Sequence, residues 1–194
     1  MIYTALLKIF NSIVPLKKEE EELIKSSFKP FKLAKGDYFL KYGEINKHIG
    51  FINKGLVRYF IHKNDDEATF EFTKEGDFIA DYQSFSQIKA TIQNIQAIED
   101  CELLVIDFNA TQDIFTNTQF GNLIGRIIIE HRFDVMVSQL LSIYMQNQEE
   151  RYKHFVANYS ELTQRIPQYL IASYVGIQPQ SLSRIRKRFA KTVS

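Results

Sequence analysis

The sequence predicts an α+β protein: an antiparallel β-roll of jelly-roll type flanked by helices, then one long helix, then a small helical domain. Three observations carry that prediction. The apolar period is near two between Phe28 and Asp107 and helical on either side. No proline interrupts Gln119 to Gln146. The segment from Leu162 to Ser194 holds six cations (Arg165, Arg184, Arg186, Lys187, Arg188, Lys191) and no carboxylate. The formal net charge of +1 therefore hides an acidic body, with 18 cations against 23 acids, and a basic tail suited to a polyanion. With 194 residues, 45% hydrophobic and 24% charged, the chain can bury a core.

Residues 2–27 read as two short helices separated by Pro15. Ile2, Leu6, Ile9, Phe10 and Ile13 share a helical face, too short an apolar stretch to span a bilayer. No basic n-region or small-residue cleavage site marks a signal peptide, so the expected location is the cytoplasm. Lys17 to Glu22 reads as a solvated, charged face.

The roll follows. Turn residues recur at Lys35-Gly36-Asp37, Gly43-Glu44, Asn53-Lys54-Gly55, Asn64-Asp65-Asp66 and Glu75-Gly76-Asp77. They cut the segment into short strands at the spacing of a small barrel or jelly roll. In "LVRYFIH" and "ATFEFT" apolar and polar residues alternate, which predicts half-buried strands. Cys101, the single cysteine, excludes an internal disulfide and reads as a half-buried strand residue. His48 and His62 lie on separate runs with no His-x-His pair, so the roll offers no metal site and both read as exposed.

After Asp107 the pattern turns helical. Asn109 with Gln112 is positioned to cap a short helix and Thr118 a long one. In that long helix Ile129, Phe133, Met136, Leu140 and Ile143 add an apolar stripe that one barrel cannot cover. The expected partner is a second copy packed along it, with a buried intradomain helix as the alternative. Asn147-x-x-Glu150 has capping-box spacing and starts a fresh helix. The stretch "IPQYLIASYVGIQPQSLSRIRKRF" then reads as a helix from Pro167 to Val175, a turn at Gly176 and a second helix from Pro179. Ala172 and Gly176 allow close crossing, and Ile177, Leu182 and Ile185 face inward. Pro179, Gln180, Ser181, Ser183, Arg184, Lys187 and Arg188 are left outside. That is the helix-turn-helix pattern for double-stranded DNA. Gln can bond adenine in two places and Arg can fork onto guanine, while Ser and the later cations suit phosphates.

Together these features resemble the Crp/Fnr family of bacterial transcription regulators. The resemblance is most specific in "ASYVGIQPQSLSRIRK", with "FINKGLVRYF" and "GDFIADYQSF" similar to the family's effector-domain strands and the start of its phosphate-binding cassette. It implies a cyclic nucleotide-binding-like roll over residues 1–117, a dimerisation helix over 118–146 and a helix-turn-helix domain over 147–194. It further implies a homodimer reading a palindrome, with RNA polymerase as a further partner. Gln180 and Arg184 match the family's base readers, and Ser181 a phosphate or base contact. The implied effector pocket is Phe78, Ile79, Ala80, Asp81, Lys89, Ala90 and Thr91, for a small-molecule effector. The cassette departs from the nucleotide-binding pattern: Ala80-Asp81 stands for Gly-Glu, no arginine occurs between Arg58 and Arg126, and Lys89 is the sole cation from Phe78 to Asp100. Lysine is a point charge and does not reproduce a guanidinium fork on phosphate, so weak or absent cyclic-nucleotide binding is expected. Backbone N–H groups after Asp77 remain as potential phosphate donors.

Catalysis has no support. Gly-x-Ser-x-Gly, P-loop and Gly-x-Gly-x-x-Gly patterns are all missing, and no catalytic residue, metal ligand or cofactor is assigned. A β-barrel metalloenzyme and a constitutive DNA-binding dimer without effector are the rival readings.

Overall fold

The structure, a computed structural model, describes residues 2–64 and 66–193, with side chains as far as Arg188. Asp65 of the expected turn and the Lys191 side chain lie outside what it describes. Pro15 separates α1 (Thr4–Ile13) from α2 (Lys18–Ser27), as expected. The α2 start is held by Glu20, whose Oε2 accepts the Lys17 N–H at 2.9 Å and whose Oε1 accepts the Gln119 N–H at 2.9 Å. Those two donors hold the Glu20 carboxyl below its ordinary range.

Two four-stranded antiparallel sheets form the roll. One has β1 (Lys29–Leu33), β8 (Cys101–Asp107), β3 (His48–Lys54) and β6 (Phe78–Ile79) in that order. The other has β2 (Tyr38–Leu40), β7 (Asn94–Ala97), β4 (Val57–Lys63) and β5 (Asp66–Thr73). Helix α3 (Tyr82–Gln87) sits between β6 and β7, and α4 (Phe108–Asn117) follows β8. Phe51, Leu104, Ile106 and Phe78 pack against α1 through Leu6 and Phe10, and Ile114 and Ile124 join the same cluster. The Phe10 and Phe78 rings stack at 6.2 Å.

Four local expectations need correction. Strand β4 does not alternate: Val57, Arg58, Tyr59 and Phe60 are all buried. Arg58 achieves this by lying 4.0 Å over the Phe60 ring and donating from Nε and a terminal nitrogen to Gln96 Oε1 on β7. The α4 cap is Asp107, whose Oδ1 accepts the Ala110 N–H, rather than Asn109 with Gln112. Thr118 closes α4 instead of opening the long helix, because its hydroxyl is spent on the Ile114 carbonyl four residues back. Cys101 is more buried than half, and that burial pushes its thiol up to about 11. Gly55, at φ +105, lies against it, where a Cβ would fall 2.6 Å from the sulfur.

The long helix α5 (Gly121–Met145) is followed by α6 (Gln148–Asn158), a 3-10 turn (Ser160–Leu162), α7 (Gln168–Val175) and α8 (Pro179–Val193). The chain divides into two compact units. One comprises residues 1–61 and 72–132, and the other residues 62–71 and 133–194, so the tip of the β4–β5 hairpin belongs with the C-terminal helices. Among the described residues no helix is long and apolar enough to cross a membrane, and no group of three or more His, Cys, Asp or Glu is placed to hold a metal.

Candidate nucleic-acid interface and effector cassette

The C-terminal helices are built from a capping box upward. Asn147 Oδ1 accepts the N–H groups of Glu149 and Glu150, and Glu150 Oε2 takes back the Asn147 N–H at 2.8 Å, as its spacing predicts. Helix α6 then buries Phe155, whose ring packs 5.3 Å from Tyr159 and 5.4 Å from Tyr174 of α7. Leu170, Ile171, Ala172 and Val175 complete the α7 side of this core. Gly176 ends α7 in the left-handed region at φ +78, and the N–H groups of Gly176 and Ile177 both return to the Ala172 carbonyl. The Gln178 carbonyl starts α8 by accepting from Ser181 and Leu182, with Pro179 at the first helical position.

This packing sets which faces of α8 are buried and which are exposed. Leu182 and Ile185 are buried against α7, which turns the opposite face of α8 outward. Pro179, Gln180, Ser183, Arg184 and Lys187 are exposed and Ser181 partly so. Gln180, Arg184 and Lys187 lie four and three residues apart, one side of the helix. Arg188 is placed differently from its fellows: its guanidinium pairs with Glu149 Oε2 at 3.1 Å. Half-exposed pairs of this kind are worth little to stability.

Arg151 had no signal in the sequence. Its guanidinium donates to the Tyr174 carbonyl at 2.7 Å and lies 3.1 Å from where a Gly176 Cβ would stand. A cation thus sits at the carbonyl end of α7, where the helix dipole favours it. Burial pulls the Arg151 pKa down and pushes that of Tyr174 up. The turn is therefore fixed by a residue on another helix, and only tertiary structure brings the two together.

The cassette is organised the opposite way. Asp81 is buried, and both its carboxylate oxygens are used: Oδ1 accepts the Ser84 N–H as the cap of α3, and Oδ2 accepts the Thr91 hydroxyl at 2.6 Å. Several backbone donors after Asp77 are engaged as well. Phe78 N–H bonds Asp77, Ala80 N–H bonds the Tyr59 hydroxyl, and Asp81 N–H bonds Asn46 Oδ1. The Ser84 hydroxyl donates to the Lys89 carbonyl and accepts the Asn46 N–H. Lys89 and Ala90 themselves are exposed. Phe78 belongs to the core under α1 rather than to a cavity, and Ile79 is fully buried in the register Gly50↔Ile79. Of the seven expected pocket residues, Asp81 and Thr91 are joined by a side-chain hydrogen bond. Asn46 and Tyr59 complete the network, and nothing in their spacing announced it.

The stripe on α5 is uncovered. Ile129, Phe133, Met136, Leu140 and Ile143 are between 40% and 63% exposed, which sets aside a buried intradomain helix for this face.

Residues 30–118 match the cyclic nucleotide-binding domain family. The chain is similar to FixK2 from Bradyrhizobium japonicum, at 14% identity and TM-score 0.72 over 85% of each chain. It is similar to CLP, the c-di-GMP responsive global regulator of Xanthomonas campestris, at 14% identity and TM-score 0.70 over 91% of this chain and 93% of that one. A protein described as a Crp/Fnr-family regulator from Eubacterium rectale matches at 19% identity and TM-score 0.66, covering 95% and 87%. The fold is that of the Crp/Fnr regulators. No curated protein matches the sequence. The Crp/Fnr architecture expected from "ASYVGIQPQSLSRIRK" and the roll strands is thus present across the chain, from the cyclic nucleotide-binding domain to the C-terminal helices.

Proposed function

We propose that this protein is a homodimeric, sequence-specific DNA-binding transcription regulator of the cytoplasm, and not an enzyme. One observation carries the reading: a helix-turn-helix whose second helix turns Gln180, Arg184 and Lys187 outward, in a segment with no carboxylate from Leu162 onward. The first contacts are assigned to base edges and Lys187, Arg188 and the serines to phosphates. Residues 118–146 serve as the dimer helix, with Ile129, Phe133, Met136, Leu140 and Ile143 at the seam, joining an effector-type roll over residues 1–117 to a DNA-binding domain over residues 147–194. Two copies would read a palindrome with half-sites about 10 bp apart, centre to centre. RNA polymerase is the downstream partner of such a regulator.

Cyclic AMP and cyclic GMP are not its effectors. A buried phosphate needs charge and convergent donors, whereas Asp81 and the neighbouring amides already satisfy one another. The same network favours a second reading, a dimer that binds DNA without any small molecule. Selection of duplexes from a random pool, followed by footprinting, tests the main reading. Enrichment of a two-fold symmetric site supports it, and enrichment of none refutes it.

A further inference from the structure

A cleft of about 220 Å³ opens on the roll beside the Asp81 network, where the start of β3, the end of α3 and the start of α4 meet. Its walls are Ile45, Phe85, Ile88 and Phe108, with the Phe85 and Phe108 rings 5.6 Å apart. Ile45 is 41% exposed, Ile88 68% and Phe108 37%. Single exposed apolar side chains are ordinary, but three around one hollow mark a binding surface. Ile88 adds strain. It ends α3 in the left-handed region at φ +53, where a β-branched residue is an outlier and glycine or asparagine the usual choice. Ser84 holds the turn: its carbonyl accepts the Ile88 and Lys89 N–H groups, and its hydroxyl donates to the Lys89 carbonyl. With about two-thirds of its surface in water, the isoleucine gains little burial in return. A bound apolar body that covers it would account for its presence.

The polar groups at the rim carry opposite charges. His48 pairs with Asp107 across β3 and β8, so Lys47 and Asp107 line the cleft as neighbours. Asp107 caps α4 with Oδ1, which leaves Oδ2 over, and Lys47 is exposed. Asn46, which also lines the cleft, is already committed: its side chain donates to the His48 carbonyl and accepts the Asp81 N–H. A ligand here meets one cation, one anion and an apolar hollow. The hollow exceeds by about half the ~150 Å³ cavity that holds benzene, so it takes a phenyl or branched aliphatic group with a short polar tail. We propose that this cleft binds a large apolar α-amino acid as its zwitterion. Its carboxylate meets the Lys47 ammonium, its ammonium meets Asp107 Oδ2, and its side chain lies among Phe85, Ile88 and Phe108. This site stands whether or not α8 binds DNA.

Calorimetric titration of the full-length protein with L-phenylalanine, and with L-leucine as the aliphatic probe, tests the site. Phenylalanine is expected to fill one site with a Kd between about 10 μM and about 1 mM, the range open to a ligand of roughly twelve heavy atoms. 3-Phenylpropionate, which lacks the ammonium, and phenylalanine amide, which lacks the carboxylate, should each bind at least about tenfold more weakly. Lys47→Gln should weaken phenylalanine about tenfold and leave the amide unchanged. Asp107→Asn, which keeps the helix cap, should weaken phenylalanine and leave 3-phenylpropionate unchanged. Ile88→Gly should raise the melting temperature by relieving the turn, yet weaken phenylalanine about threefold or more by removing a wall. No heat at about 10 mM of either amino acid, equal affinity for 3-phenylpropionate, or phenylalanine affinity within about twofold of the parent in both charge variants overturns the site. An Ile88→Gly protein that melts lower, or that keeps full affinity, contradicts the role given to Ile88.

Discussion

The cassette between Phe78 and Thr91 and the stretch of α8 between Pro179 and Arg188 use polar side chains to opposite ends. In the cassette, Asp81, Ser84, Thr91 and Asn46 are buried and bonded to one another or to nearby backbone. On α8, Gln180, Ser183, Arg184 and Lys187 are exposed. A polar group closed on its neighbours stabilises a loop, and a ligand must break those bonds before it gains any of its own. A polar group left in water gives up only its hydration. The difference is what supports the proposal that DNA contact is made by the C-terminal helices and that the cassette serves as scaffold. It also separates two links that the sequence alone presents side by side: the fold of an effector domain and the chemistry of an effector site.

The sharpest way to break this contrast is to remove the core under the recognition helix. Phe155 is fully buried between Tyr159 and Tyr174, and Phe155→Ala should cost about 3–5 kcal/mol. Thermal melts should show loss of the C-terminal unit and of duplex binding while β-roll circular dichroism persists; joint loss of both would mean the two regions do not act separately. Next in size is the dimer seam. Met136→Glu with Leu140→Glu places two charges on exposed apolar positions that a partner would bury, so sedimentation should shift to monomer. A dimer that survives both lies elsewhere.

Smaller effects sharpen the base-reading assignment. Arg184→Ala should cost about 1–3 kcal/mol on the preferred site and relax preference at one base pair. Lys187→Ala should weaken all duplexes alike and lower the salt slope by about one. A uniform loss on Arg184→Ala would make it a phosphate contact. Smallest is an acid effect on the scaffold. Glu20 is held below its ordinary range by the Lys17 and Gln119 amides. Its contribution is therefore complete above about pH 4.3 and is lost as pH falls through its folded value. Denaturant midpoints from pH 7 to pH 2 should show a shallower acid decline in Glu20→Gln than in the parent.

How much of this was written in the sequence follows from the range of each interaction. The α7–α8 turn was legible because its determinants, Ala172, Gly176, Pro179 and the apolar pair Leu182 and Ile185, sit within fourteen residues and act locally. The Asn147 capping box was legible for the same reason. Arg58 broke the alternation of β4 because a guanidinium stacked on Phe60 behaves as core, which a polar letter conceals. Asp107 took the cap expected of Asn109, and Thr118 closed α4 instead of opening the long helix, because each carboxylate or hydroxyl chooses among nearby backbone groups by geometry, not by spacing. Asn46 with Asp81, and Arg151 with Tyr174, are separated by 35 and 23 residues and meet only after folding. The departure at Ala80-Asp81 was visible as letters; that the carboxylate is consumed by Thr91 and Ser84 was not.

The central claim is that DNA recognition is retained while the cyclic-nucleotide site is closed. Fluorescence anisotropy of the selected palindromic duplex, titrated with the protein in the absence and presence of millimolar cyclic AMP, tests both halves at once. Tight, salt-sensitive binding with the same midpoint in both titrations is the predicted result. A midpoint that moves about tenfold with cyclic AMP would show that the ligand opens the Asp81 network and gains more than it breaks, and would contradict the account.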